Sequence, residues 1–314
     1  MSFQWWCSAQ TAAWEWTWRP YPGVWLFLAL LALGYRALLR RARDRGPVGA
    51  ARIASFAGGI ACLWLALDWP IGALGAGYLA SVHMIQFLLI GLIAPPLLLW
   101  GIPPAAFGAA AGAPGPAPTK AAAESPRNGE SPDAPREARS ARARALRLLT
   151  HPIVAIIVFN ILVGTTHAPA VTDTLMASQL GSFAIDVAWL GGALLFWWPM
   201  VAAAPARPYF HDLLKIAYIT GQAILMTPVF VYLTFSPHPV YAVYELAPPV
   251  AGIEPLADQR VAGLMMKIVG GLILMGAVTI LFFRWARRAG DDPAALQAAA
   301  TAAAADGAAR EPAR

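Results

Sequence analysis

Several side chains that can bind a metal or carry a proton lie inside, or at the edge of, strongly apolar segments of the chain. They are His83, Met84, Gln86, His167, Asp186 and Met265. Imidazole with thioether is a ligand set that suits copper, and thioether favours Cu(I). Because such side chains are costly to bury in an apolar segment, they predict a functional site, and copper is the first candidate ligand.

The spacing of the first three residues limits how they act together. His83 and Gln86 are three residues apart and share one face of a helix, whereas Met84 points about 100° away. Simpler interpretations are also open: the histidines are interfacial anchors or hydrogen-bond donors, the methionines fill apolar space, and Asp186 pairs with Lys267.

The segments that carry these residues have the length and composition of membrane-spanning helices. The chain is 58% hydrophobic and only 13% charged, and its apolar blocks have the roughly 20 residues that a helix needs to cross a bilayer. The sequence therefore predicts an all-α, polytopic membrane bundle of seven transmembrane helices. The predicted spans are 22–39, 53–71, 78–101, 152–168, 180–203, 212–235 and 261–285. Pro95, Pro96 and Pro228 predict breaks within two of them.

Basic residues are concentrated in alternate connections between the spans. They are Arg36, Arg40, Arg41, Arg43, Arg45, Arg52, Lys120, Arg127, Arg136, Arg139, Arg142, Arg144, Arg147, Arg207, Lys215, Arg284, Arg287 and Arg288. The remaining connections carry mainly acidic residues. This bias predicts an N-terminus outside and a C-terminus in the cytoplasm of a bacterial plasma membrane, with the candidate ligands in the outer third of the bundle.

The same composition divides the chain into five parts. We expect an outer interfacial tail rich in tryptophan, three transmembrane helices, a disordered basic cytoplasmic loop, four further transmembrane helices and a disordered cytoplasmic tail. Their limits are 1–21, 22–101, 102–150, 151–288 and 289–314.

Other function classes find little support in the sequence. The net charge of +6 comes from residues between the spans, and no nucleic-acid-binding motif accompanies it. Signatures of hydrolases, metalloproteases and nucleotide-binding enzymes are absent, so no enzymatic activity is predicted. Cys7 and Cys62 form no ligand motif, and we expect no disulfide between them.

Four ordered motifs resemble the CtaG-type, or caa3-type, cytochrome c oxidase assembly factors. The first is the stretch from Ser81 to Gln86 that continues to Leu97, and the second is Thr166-His167-Ala168-Pro169. The third ends in Leu194-Leu195-Phe196-Trp197-Trp198-Pro199, and the fourth is the segment from Asp258 to Gly271. The chain departs from the family's histidine pattern at Phe87, Ser182 and Asp186, where the family commonly has histidine.

The resemblance implies seven spans and a role in maturing haem–copper oxidases. It implies oxidase subunits or a copper chaperone as partners within the lipid bilayer. We expect the chain to act at the outer face in one of two ways: by binding copper through His83 and His167, supplemented by Met84, Gln86, Asp186 and Met265, or as a scaffold alone. Two alternatives are a copper permease, which needs a polar path across the membrane, and a haem-binding redox protein with axial histidines.

Overall fold

The computed structural model describes residues 3–42, 46–104, 144–145, 148–201 and 210–290. These residues are helical or irregular, with no β-strand among them. The predicted disordered loop and C-terminal tail lie almost entirely outside this part of the chain.

The helices of the first half form three candidate spans. They are α1 (Pro22–Ala42), α2 (Ala50–Leu67), the short α3 (Ile71–Gly77), and α4 (Ala80–Leu88), which continues through a π-helical turn (Leu89–Ile93) into α5 (Ala94–Gly101). Since Pro95 and Pro96 lack the N–H that a regular turn requires, the change of helical type falls directly before them.

The second half contains three long spans and a bent pair. The helices are α6 (Pro152–Thr166), α7 (Pro169–Met176), α8 (Gln179–Val201), α9 (Asp212–Leu225), α10 (Thr227–Phe235), the short α11 (Ala242–Glu245) and α12 (Pro255–Gly290). The break between α9 and α10 lies beside Pro228, which confirms the predicted kink.

Among the described residues, six segments are long and apolar enough to cross a membrane. The α6–α7 pair, bent by 74°, raises the number to seven if it is counted as one span. The predicted all-α membrane bundle is therefore confirmed. The fourth predicted span differs in detail, because α6 ends at Thr166 and the chain turns sharply at Pro169.

The α4–α5 span and α8 form the centre of the bundle, and most of each is buried. Aromatic side chains pack between them and their neighbours: Phe196 stacks on Phe159 of α6 at 5.2 Å and on Tyr218 of α9 at 5.0 Å. By contrast, α1 and α12 are mostly exposed. The central helices therefore position buried polar residues, whereas the outer ones face lipid.

The bundle has two chemically different ends. At one end Asp212 of α9 pairs with Lys215 at 3.3 Å and with Arg288 of α12 at 2.9 Å, and Arg52 of α2 donates to the Trp100 carbonyl of α5 at 2.6 Å. At the other end Asp258 binds the start of α4. We call these the basic end and the acidic end.

Candidate functional site

The start of α4 is anchored to the start of α12 at the acidic end. The Asp258 carboxylate accepts hydrogen bonds from the Ser81 backbone N–H, at 3.3 and 3.4 Å, and from the Ser81 hydroxyl. A carboxylate at a helix N-terminus binds unpaired N–H groups and interacts favourably with the helix dipole. Gln259 accepts from the Val240 N–H at 2.7 Å and donates to the Leu233 carbonyl at 3.1 Å. These contacts fix α4 beside α10 and α12.

His83, Met84 and His167 line one small buried cavity at this end. Its volume is about 20 Å³, which is room for roughly one water molecule or ion. The other lining residues are Ala80, Thr166, Thr172, Leu233, Tyr241, Tyr244, Gln259 and Ala262. Residues far apart in sequence, on α4 and at the end of α6, therefore meet in one space.

His167 is held at the bend between α6 and α7. Its Nδ1 lies 2.8 Å from the Val163 carbonyl oxygen. A carbonyl can only accept, so Nδ1 carries the proton and Nε2 is left with a lone pair. The Tyr241 hydroxyl donates to the His167 carbonyl at 2.9 Å, and the Thr172 hydroxyl donates to the Thr166 carbonyl at 2.6 Å. The bend is thus stabilised by hydrogen bonds on both sides.

His83 lies between aromatic rings. Its imidazole is 5.0 Å from the Trp189 ring and 5.8 Å from the Tyr244 ring, between centroids. Its Nδ1 is buried and has no hydrogen-bond partner among the described residues. An unpaired buried nitrogen is costly, and such a group indicates an additional ligand, water or ion.

Trp189 of α8 and Phe87 of α4 form an apolar wall against the two histidines. The Trp189 ring centroid lies 6.1 Å from that of His167 and 4.9 Å from that of Phe87, and Phe87 lies 5.7 Å from His167. The Trp189 indole donates to the Thr166 hydroxyl at 2.9 Å. Both imidazoles therefore contact the same indole.

Gln86 and Asp186 belong to a separate hydrogen-bonded group, the Asp186 network, together with Trp6. The Trp6 indole donates to Asp186 Oδ2 at 2.8 Å, and the Gln86 amide donates to Asp186 Oδ1 at 3.1 Å. Trp6 is only 1% exposed. Neither Gln86 nor Asp186 lines the histidine cavity. The structure thus separates these two residues from the three at the cavity.

Part of the N-terminal tail is buried in the bundle, where Trp6 belongs to the Asp186 network. The backbone N–H groups of Trp5 and Trp6 donate to Gln179 Oε1 at 2.7 and 3.2 Å, and the Cys7 thiol donates to the Leu67 carbonyl at 3.3 Å. Cys7 and Cys62 are both buried free thiols. The sequence analysis missed this insertion, although an unpaired acid within a span is a signal for a buried donor.

Met265 and Lys267 also lie apart from the cavity. Met265 is partly buried and is not among the lining residues. Lys267 donates to the Thr227 hydroxyl at 2.9 Å and to the Ala223 carbonyl at 3.3 Å. The alternative interpretation of an Asp186–Lys267 ion pair is therefore wrong, because both groups bind other partners.

The donor set at the cavity is small. In the described part of the chain, no three His, Cys, Asp or Glu side chains are arranged to bind a metal ion. The residues that line the cavity instead include two histidines and one methionine. The hydroxyls of Tyr241 and Tyr244 donate elsewhere, to the His167 and Gly75 carbonyls. This composition suits a soft ion of low coordination number more than a hard cation, which requires oxygen ligands.

Comparison with known proteins identifies one family. No curated protein and no solved structure matches the chain. Residues 33–288 match the family described as the cytochrome c oxidase caa3 assembly factor. This range includes α2 to α11, the cavity residues His83, Met84 and His167, the second half of α1 and nearly all of α12. The chain therefore belongs to the cytochrome c oxidase caa3 assembly factor family.

Proposed function

We propose that the chain serves oxidase assembly by holding Cu(I) between His83 and His167, with Met84 as a third donor. The observation that carries this proposal is the shared cavity: both imidazoles and the thioether line it, and His83 Nδ1 has no partner among the described residues. Copper is here the cargo of the protein, delivered to a partner after binding.

The environment of the cavity favours Cu(I) over harder or more highly charged ions. Among the residues that the structure describes, no carboxylate lines the cavity, so none offsets the charge of a divalent cation. Neutral imidazole and thioether stabilise a monovalent soft ion in an apolar space. The Val163 carbonyl orients the His167 ring, as carbonyls commonly do for metal-binding histidines.

We place this site at the outer face of a bacterial plasma membrane. The cavity lies at the acidic end, while Arg52, Lys215 and Arg288 lie at the opposite end. Under the positive-inside rule the basic end is cytoplasmic. A site near that face suits exchange with an oxidase subunit or a copper chaperone on the same side.

The two alternatives find less support. A cavity of about 20 Å³ is far too small for a haem macrocycle. A copper permease needs ligands that continue across the membrane, but the larger cavity of the described structure is a mainly apolar groove that contains Lys267 and opens on the exposed side of α12.

The experiment is a Cu(I) titration of the purified full-length protein against a chromophoric Cu(I) chelator. We expect one equivalent bound by the wild type and none by the His83→Ala, His167→Ala double variant. His238→Ala is the matched control, since His238 is exposed and does not line the cavity. Unchanged stoichiometry in the folded double variant would remove the copper proposal and leave family membership intact.

A further inference from the structure

Lys267 of α12 is partly buried and places its amino group beside the break between α9 and α10, well within the apolar span. From this break α10 runs nine residues to Phe235 at the acidic end, about 13 Å at 1.5 Å per residue. This is close to half of the roughly 30 Å of hydrocarbon in a bilayer. A cation at that depth is costly and requires an energetic or functional reason.

Two hydrogen bonds to neighbouring residues offset part of this cost. The amino group donates to the Ala223 carbonyl, in the last turn of α9, and to the Thr227 hydroxyl at the start of α10. A cation at a helix C-terminus binds unpaired carbonyls and interacts favourably with the dipole. However, an ammonium has three N–H donors, and the third has no partner among the described residues.

Lys267 lines a groove between α9 and α12, the Lys267 groove. The groove has a volume of about 390 Å³ and is otherwise apolar, with Met226, Met266 and Gly271 among its lining residues. Leu272 and Met275, which also line it, are 67% and 60% exposed, so the groove opens on the lipid-facing side of α12. No atom lies within 4 Å of a Cβ added at Gly271, so a neighbouring backbone has room to approach.

We propose that the Lys267 groove binds a transmembrane helix of a second protein that carries a carboxyl side chain at mid-depth. The unpaired cationic N–H supplies charge complementarity, and the glycine and methionine surface supplies close, adaptable packing. Intramembrane ionisable groups generally pair with one another, and a carboxyl group is the complement of this donor.

A second copy of this chain does not provide that carboxyl group. Among the described residues Asp186 alone lies away from both ends of the bundle, and both of its oxygens already accept hydrogen bonds. Lipid carboxylates and phosphates lie at the membrane surface, roughly 13 Å from Lys267 by the same helical rise. In an assembly factor the helix belongs to a client subunit. That identification rests on the proposed function, whereas the groove chemistry does not.

The test uses the full-length protein in lipid nanodiscs with a synthetic transmembrane peptide of leucine and alanine. One peptide carries a single central aspartate, and its partner carries leucine at that position. Binding is measured by energy transfer between labels on peptide and protein. We expect the wild type to prefer the aspartate peptide by roughly three- to tenfold, the range of polar interactions between membrane helices.

Four variants sharpen the test. Lys267→Met should abolish the preference, whereas Lys267→Arg, which retains the charge, should keep it. Gly271→Leu should weaken binding of both peptides by filling the groove. Gly276→Leu is the matched control, since Gly276 also has open space at its Cβ position but does not line the groove.

Equal binding of the two peptides by the wild type would overturn the proposal, as would a preference that persists in Lys267→Met. Co-purification of an anionic lipid with the wild type but not with Lys267→Met, without an aspartate preference, would assign the groove to lipid instead. Copper binding plays no part in this measurement. A failure of the Lys267 groove proposal can therefore be distinguished from a failure of the proposed function.

Discussion

The histidine cavity and the Asp186 network lie side by side and are built from the same two helices. On α4, His83 lines the cavity while Gln86 donates to Asp186. On α8, Trp189 packs against both histidines while Asp186 accepts from Trp6. His83 and Gln86 are three residues apart on α4, and Asp186 and Trp189 are three residues apart on α8. In each pair, however, one residue lies at the histidine cavity and the other belongs to the Asp186 network.

The difference lies in the partners that the protein itself supplies. Both Asp186 oxygens accept hydrogen bonds from buried donors, whereas His83 Nδ1 has no partner in the described structure. A satisfied buried network stabilises one conformation, while an unpaired buried nitrogen beside a cavity is available to a ligand. We infer that the Asp186 network stabilises the fold, whereas the histidine cavity is the part that would bind copper under the proposed function.

The largest expected effect is on stability, from Asp186→Ala. This change leaves the Trp6 indole N–H and the Gln86 amide without their acceptor, and should lower the free energy of unfolding by about 3 kcal/mol. Asp186→Asn should cost much less, because Gln86 Oε1 is unpaired and can accept from the new amide. Thermal unfolding in detergent measures both, and copper stoichiometry should stay unchanged.

A stable Asp186→Ala protein without copper would contradict this division, because it would assign Asp186 to the metal site.

The second prediction adds a donor to the cavity. Phe87 is fully buried and its ring lies 5.7 Å from His167. Phe87→His should raise the affinity for Cu(I) about tenfold, since a third imidazole would join the donor set. Competition with a Cu(I) chelator measures the change.

Phe159→His is the control, because Phe159 is equally buried but stacks on Phe196. An equal gain in this control would show that any buried imidazole raises copper affinity.

The third and smallest effect concerns the inserted tail. Trp6→Phe keeps an aromatic ring but loses one hydrogen bond to Asp186, which should cost about 1 kcal/mol. Cys7 reports the result: burial raises the pKa of its thiol, and the charges of Asp186 and Asp68 raise it further. The thiol therefore stays protonated at pH 8 and reacts slowly with a maleimide while the tail is inserted.

In a Cys62→Ala background, Trp6→Phe should speed maleimide labelling of Cys7 about fivefold, in line with the lost hydrogen bond. Trp16→Phe should not, since Trp16 is 70% exposed. Equal rates in the two variants would show that the Trp6 contact does not hold the tail.

The helices were predictable because the length of an apolar block is itself the physical requirement for crossing a bilayer. The break beside Pro228 was predictable because proline lacks an N–H. The sequence did not predict that the helix continues as α7 after the bend at His167. The polar residues Thr172 and Asp173 make α7 look like a loop and not like a continuation of the preceding span.

The site was predictable in part for a related reason. Sequence position gives the depth of a residue in the bilayer, and depth alone brought His83 and His167 to one level. It does not give the side of a helix that each neighbour covers, so Gln86 and Asp186 were grouped with them. Tryptophan suits both an interface and a core, so the burial of Trp6 carried no distinct signal.

The most direct test of the account is X-ray absorption spectroscopy of the Cu(I)-loaded protein. We predict imidazole nitrogen from two histidines and one sulfur scatterer around copper, with the imidazole scattering lost in the His83→Ala, His167→Ala double variant. A copper environment without histidine nitrogen, or one identical in the double variant, would contradict a copper site at this cavity.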